Sequence, residues 1–86
     1  MPIGGFVINV DPERIEESLV RLKGLAGVEI HGSDSKGNVV AVLESATSED
    51  MEKMVKDIMK IETVFSVGLT YFHAEDEVEK KEYRKK

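Results

Sequence analysis

The chain has 86 residues, no cysteine and a formal net charge of −5, from 17 acidic and 12 basic residues. This length predicts one small domain with a thin core and little room for a deep pocket. The lack of cysteine excludes disulfides, thiolate metal sites and thiol nucleophiles, and it favours a reducing compartment. An acidic chain is poorly suited to nucleic-acid phosphates, so we expect no nucleic-acid partner and instead a basic one.

No targeting or membrane-spanning segment is apparent in the sequence. The first ten residues contain no basic side chain, and no apolar run approaches the roughly 20 residues that span a bilayer. We therefore expect a soluble, cytoplasmic protein with no membrane span.

The first predicted elements are a strand and a helix. Residues 5–10 are apolar and partly β-branched, which predicts a strand. Asp11 and Pro12 suit the start of a helix, because Asp11 can accept from free N–H groups and Pro12 needs no donor at the first position. Apolar residues at helical spacing continue to Leu22, and Lys23 and Gly24 are typical of a last helical turn and its stop.

The second half of the chain predicts a hairpin, a helix and a strand. Residues 27–33 and 39–44 are predicted strands, joined by turn residues at 34–38. Thr47 begins a capping-box sequence that is followed by apolar residues at helical spacing. Residues 64–73 form the fourth predicted strand.

The element order is strand, helix, strand, strand, helix, strand. This order predicts an α+β, ferredoxin-like split βαβ fold. Two right-handed crossovers would place both helices on one face of a four-stranded antiparallel sheet in the order 4-1-3-2. Residues 1–74 would form this single domain. Residues 75–86 hold five acids and five bases and are predicted to be a charged, flexible tail.

The alternation along the strands assigns one face to the helices and leaves the other uncovered. In the fourth strand, Phe65, Val67, Leu69 and Tyr71 are predicted to face the helices. The predicted uncovered face comprises Gly5, Val7, Asn9, Glu29, His31, Val40, Val42, Glu44, Ser66, Gly68, Thr70 and Phe72. Its centre is small and apolar, and its acids lie to one side. Such a trough fits a basic helix or extended peptide, and a second copy of the chain is the alternative cover.

The sequence offers no convincing catalytic or metal site. His31 and His73 are the only histidines, and two histidines without a third ligand make a weak metal site. No Ser–His–Asp arrangement is suggested by the spacing, and Gly4-Gly5 is not followed by the Lys-Ser/Thr of a phosphate loop. We expect no enzyme activity, no metal and no cofactor.

Functional subtypes of the ferredoxin-like plan have signatures that are missing here. An RNA-recognition domain would place aromatic residues where Val7, Val40 and Val42 stand. A heavy-metal-binding domain would need a cysteine pair after strand one. An acylphosphatase would need an arginine in the loop that Asp11-Pro12 occupies.

Residues 27–34, 37–44 and 67–73, with acids after the last segment, resemble one family. The most specific motifs are Gly-Val-Glu-Ile-His, Gly-x-Val-Val-x-Val-x-Glu and Tyr-x-His-x-Glu. In this order and spacing they resemble the NapD family, the assembly chaperones of periplasmic nitrate reductase, over about residues 5–77. The family's Pro-Gly pairs before strands two and four are replaced by Ala26-Gly27 and Glu62-Thr63, and Phe72 separates Tyr71 from His73.

The resemblance implies a cytoplasmic chaperone that binds the twin-arginine (Tat) signal peptide of a nitrate reductase catalytic subunit. The peptide would lie as a helix on the open sheet face, delaying export until the molybdenum cofactor is inserted. Glu29 or Glu44, with Asp76 and Glu77, would meet the arginines. We expect a monomer, with a sheet-mediated dimer as the alternative. The alternative function is a small-molecule-binding regulatory domain that dimerises, as in amino-acid-responsive proteins.

Overall fold

The computed structural model describes residues 1–73. Its elements are β1 (Ile3–Val10), α1 (Ile15–Lys23), β2 (Val28–Ser33), β3 (Asn38–Glu44), α2 (Ser48–Met59) and β4 (Val64–His73). The strands form one antiparallel sheet in the order β2-β3-β1-β4. The predicted ferredoxin-like fold and its strand order are confirmed. The predicted domain end at residue 74 and the tail at 75–86 lie outside the described residues.

The two helices begin in different ways. The Asp11 carboxylate accepts a hydrogen bond from the Glu13 N–H at 2.9 Å, and the Asp11 carbonyl accepts from the Arg14 N–H at 2.9 Å. These bonds close a turn, so α1 begins only at Ile15, later than predicted. In α2 the Thr47 hydroxyl accepts from the Asp50 N–H at 3.0 Å, which is the predicted cap.

The β2–β3 hairpin depends on a glycine. Gly37 has φ 91°, and its carbonyl accepts a hydrogen bond from the Val10 N–H at 2.8 Å. A Cβ at Gly37 would collide with the carbonyl oxygen of Val10. Only glycine therefore allows the turn to approach the end of β1 this closely.

The core lies between the helices and one face of the sheet. The buried apolar residues are Phe6, Ile8, Val10, Leu22, Val39, Ala41, Leu43, Met51, Ile58, Ile61, Val64 and Val67. Ser18 of α1 and Thr63, just before β4, share a buried hydrogen bond of 2.6 Å between their hydroxyls. Within residues 1–73, every buried side-chain nitrogen or oxygen has a hydrogen-bond partner.

Two bulges change which side chains of β4 point toward the helices. The pairing with β1 skips one residue at Phe65 and another at Thr70. Leu69 therefore pairs with Phe6, and Tyr71 pairs with Gly5. The prediction that Phe65 and Tyr71 face the core is wrong, because each is 60% exposed.

Among the described helices, none has the length and apolar character needed to cross a membrane.

Candidate functional site

The face of the sheet away from the helices, here called the open face, has no covering element among residues 1–73. In β1, residues 4, 6, 8 and 10 are buried against the helices, while residues 3, 5, 7 and 9 are half-buried and point the other way. The strand pairing arranges the open face into four rows that run across the sheet. Each row brings together side chains from strands that are distant in sequence.

The valine row forms the apolar centre of the open face. Val7 pairs with Val40 on one side and Gly68 on the other, and Val40 also pairs with Gly32. A Cβ on Gly68 would meet nothing closer than 3.8 Å, and one on Gly32 would have no neighbour within 4 Å. Neither glycine has a positive φ. The space above this row therefore reflects missing side chains, and the row is a shallow apolar trough.

The next row has a carboxylate at one end and a phenol at the other. Glu29 pairs with Val42, Val42 with Gly5, and Gly5 with Tyr71. The bulged Thr70 donates its hydroxyl hydrogen bond to the Gly5 carbonyl at 2.9 Å. The row is flat at Gly5 and raised at its ends, which continues the trough of the valine row.

Two more rows bound the trough. In the first, the Asn9 amide donates to the Asn38 side-chain oxygen, and the Ser66 hydroxyl donates to the Asn9 side-chain oxygen at 3.0 Å. The Asn38 amide donates to Asp34 at 2.9 Å, and together with the Asn38 backbone N–H it lowers the pKa of Asp34. The opposite boundary row consists of Glu44, Ile3 and His73.

The open face is acidic. The His31 ring nitrogen lies 2.7 Å from the Glu29 carboxylate, which places His31 beside the trough as predicted. Glu44 has no ion pair among the described residues. Every described lysine and arginine lies elsewhere: Arg14, Arg21, Lys23, Lys36, Lys53, Lys56 and Lys60 belong to the helices, their ends or the hairpin turn.

Eleven of the twelve predicted site residues lie on the open face, as the pairing and contacts above show. The exception is Phe72, whose predicted position is wrong. It pairs with the buried Gly4 and packs against the core, because the bulge at Thr70 reverses the alternation. Tyr71 takes its place on the open face. The role of the eleven residues in binding stays a prediction.

Sequence reasoning also missed Ile3, Gly32 and Asn38. Ile3 precedes the predicted start of strand one, and Asn38 lies in the predicted turn. Gly32 enters the open face through a bulge at His31. For Tyr71, the available signal was the stronger apolar character of Phe72, which suits a core position better than a phenol does.

The shape and charge of the open face suit docking of another chain. Within residues 1–73, no three histidines, aspartates or glutamates are grouped so that they could hold a metal ion. A flat apolar trough with carboxylates along one side can bind a segment that combines an apolar stripe with positive charge.

The fold is ferredoxin-like, and one face of its sheet is left open by the described residues. The family model for NapD, described as NapD protein, matches residues 1–76, and the chain belongs to this family. Among solved structures, the chain is similar to the solution structure of the E. coli Tat proofreading chaperone protein NapD. That match has 26% sequence identity and a TM-score of 0.76, and it covers 98% of this chain and 88% of that chain. A search of curated proteins finds no match.

Proposed function

We propose that this protein is a cytoplasmic chaperone that binds the Tat signal peptide of a periplasmic nitrate reductase catalytic subunit. Binding would delay export until the molybdenum cofactor of that enzyme has been inserted. Membership of the NapD family and the likeness to a Tat proofreading chaperone support this function. The protein would act by sequestration, since a peptide held on the open face is unavailable to the export machinery, and no bond is made or broken.

The observation that supports this function most directly is the shape of the open face. The trough formed by Val7, Val40, Val42 and the adjoining glycines is wide and free of large side chains. An α-helix is about 10–12 Å across with its side chains, roughly two strand spacings. A helical signal peptide could therefore rest its apolar stripe on the valines and approach closely over Gly5 and Gly68.

Glu29 and Glu44 would receive the arginines. Glu29 pairs with Val42, and Glu44 is two residues beyond Val42 on β3, so Glu29 and Glu44 are diagonal neighbours with Cα atoms about 7–8 Å apart. Two successive basic residues of a peptide could each reach one of them. A guanidinium can form two parallel hydrogen bonds to one carboxylate, which would favour arginine over lysine.

Calorimetry with a synthetic twin-arginine signal peptide at low salt tests the proposal. Val42→Glu and Gly68→Arg should each abolish binding, because one buries a charge under the apolar stripe and the other fills the trough with positive charge. The matched controls are Val20→Glu and Gly24→Arg, which make the same changes on or beside α1 at exposed positions. The controls should bind as the wild type does.

Absence of binding by the folded wild type at tens of micromolar would refute the function. Normal binding by both open-face variants would refute the site alone. Sedimentation addresses the regulatory-domain alternative, since a dimer that persists at all concentrations would favour it over a peptide-binding monomer.

A further inference from the structure

We propose that the open face fixes the direction of a bound helical peptide, with the cationic amino-terminal end at Glu29 and Glu44 and the carboxyl-terminal end at Asn9 and Asn38. This direction rests on the proposed function, since it applies to a bound signal peptide. One end of the open face has carboxylates that can accept from arginine. The other end has amide N–H groups that can donate to peptide carbonyls, and these form a second set of binding groups.

The boundary row at the hairpin end of the sheet is a directed chain of hydrogen bonds. It consists of Asp34, Asn38, Asn9 and Ser66 and is called the amide row here. The Asn38 amide donates to the Asp34 carboxylate at 2.9 Å. The Asn9 amide donates to the Asn38 side-chain oxygen, and the Ser66 hydroxyl donates to the Asn9 side-chain oxygen at 3.0 Å. An ionised carboxylate can only accept hydrogen bonds, so Asp34 fixes the orientation of both amides.

Each asparagine of the amide row keeps one N–H for a ligand. A side-chain amide has two N–H donors, and Asn9 and Asn38 each use one of them within the row. The second N–H of each asparagine donates to no atom of residues 1–73. The last four carbonyl groups of a helix have no partner within that helix. The amide row can therefore donate to the carboxyl-terminal end of a bound helix.

The two ends of the open face differ in charge. Glu29 lies 2.7 Å from the His31 ring, and Glu44 has no ion pair among the described residues. At the amide row the Asp34 carboxylate already accepts from the Lys36 backbone N–H at 2.9 Å, as well as from Asn38. The contact also places Lys36, a cation, at this end of the sheet. Arginines are therefore favoured at the glutamate end and disfavoured at the amide row.

The distance between the two ends matches a short helix. Glu29 shares a row with Gly5, and Glu44 pairs with Ile3, so four to six residues of β1 separate these rows from Asn9. At about 3.4 Å per residue this distance is about 14–20 Å, which about nine to thirteen helical residues span. In a signal peptide the charged segment precedes the apolar one. A peptide with its arginines at the glutamates therefore runs in the direction of β1, across the valine row to the amide row.

The helix dipole favours the same direction. Carboxylates stabilise the positive amino-terminal end of a helix, and N–H donors and cations suit its carboxyl-terminal end. In the reversed direction, Glu29 and Glu44 would face the unpaired carbonyl groups of the helix, and the arginines would lie beside Lys36. Both of these contacts are repulsive.

Nitroxide labels on the peptide test the direction. Because the protein has no cysteine, a label attached through a single peptide cysteine stays on the peptide. The label is placed either before the arginines or after the apolar segment of a twin-arginine peptide, and ¹⁵N protein is saturated with it. The first label should broaden the amide NMR signals of Ile3 and Glu44 most strongly. The second should broaden those of Asn9 and Asn38, with the reduced labels as reference.

Three results would overturn the fixed direction. A reversed pattern would show that the peptide runs against β1. Equal broadening at both ends by each label would show that both directions are populated, and the proposed function would stand in either case. If neither label broadened any signal and calorimetry showed no heat, the proposed function would fail and the direction with it.

Asn9→Ala tests the amide row as a binding group. Loss of one neutral hydrogen bond should weaken binding of the peptide by about twofold to tenfold. At saturation, broadening of the Asn38 signal by the second label should fall as the carboxyl-terminal end of the peptide frays. Broadening of the Ile3 signal by the first label should persist. The control Val20→Ala, at a position 72% exposed on α1, should leave the affinity and both broadening patterns unchanged.

Unchanged affinity and broadening in Asn9→Ala would refute the amide row as a binding group. Equal loss of broadening at both ends of the open face would refute it as well, since the substitution would then act on the fold of the sheet.

Discussion

The two faces of the sheet are formed by the same strands but differ in side-chain type and burial. On β1 the side chains of Phe6, Ile8 and Val10 are buried against the helices, while Val7 and Asn9 between them are half-buried on the open face. One face carries bulky apolar side chains that are buried against the helices. The other has glycines, valines and carboxylates at corresponding positions. Neighbouring residues of one strand therefore differ in their contribution to folding stability, and only those on the open face belong to the proposed binding site.

Phe6→Ala and Val7→Ala compare the two faces directly and should give the largest difference. Phe6 is 1% exposed, so its truncation should lower the free energy of unfolding by about 3–5 kcal/mol. Val7→Ala should lower it by only about 1 kcal/mol but should weaken binding of a signal peptide. Urea unfolding followed by circular dichroism measures the stabilities, and calorimetry measures the binding.

If Phe6→Ala fails to fold, Ile8→Val serves as a milder core variant, with an expected loss of about 0.5–1.5 kcal/mol. Equal losses of stability from Val7→Ala and Phe6→Ala would show that the open face also contributes a core. The expected difference between the two faces in their contribution to folding stability would then be wrong.

Alanine substitutions at two glycines, one in the hairpin turn and one on the open face, should give a smaller difference in stability. Gly37→Ala should destabilise the protein by about 1–3 kcal/mol, because Gly37 has φ 91° and a Cβ would collide with the Val10 carbonyl. Gly32→Ala should change stability by less than about 0.5 kcal/mol, because its Cβ would meet nothing within 4 Å. Thermal unfolding of both variants tests this, and a large loss at Gly32 would mean that its backbone also needs glycine.

The boundary row that contains Asn9, Asn38 and Ser66 should give the smallest effect. The Asn38 amide lowers the pKa of Asp34, so ionised Asp34 favours the folded state above its unfolded pKa, and this contribution is lost as pH falls through the folded pKa. In Asn38→Ala the pKa of Asp34 should rise toward its usual value of 3.8. Carboxyl carbon chemical shifts measured against pH give both values. Asn9→Ala, which leaves the Asp34 contacts intact, should not move the pKa.

The sequence was sufficient for the elements, their order and most of the open face. The sequence signals for these elements are local: strong helical periodicity, the Thr47 cap and the turn at 34–38. Each depends on residues close in sequence, so it could be predicted without knowing the strand pairing. The first residue of α1 was harder to predict from the sequence. Both Asp11 and the first helical turn could use the same N–H groups, and the turn at residues 11–14 formed instead of a direct helix start.

The facing of β4 could not be obtained from alternation. Simple alternation holds only between the two bulges, where Val67 and Leu69 face the helices as predicted. Outside that stretch each bulge reverses the alternation of side chains between the two faces of the sheet. Tyr71 therefore lies on the open face and Phe72 on the core face, the opposite of the prediction. A bulge is defined by the pairing of two strands, and nothing in the sequence of one strand specifies where its partner skips a residue.

The bulges of β4 also determine how this sheet can meet other chains. β4 is an edge strand, and a long regular edge would offer unpaired backbone groups to a strand from another molecule. Skipped residues at Phe65 and Thr70 interrupt that regular edge, and the bulge at His31 does the same for β2 at the other side. Association by strand addition, the usual beginning of aggregation, is therefore disfavoured. The bulged edges thereby keep a sheet with an open apolar face from growing into a larger sheet.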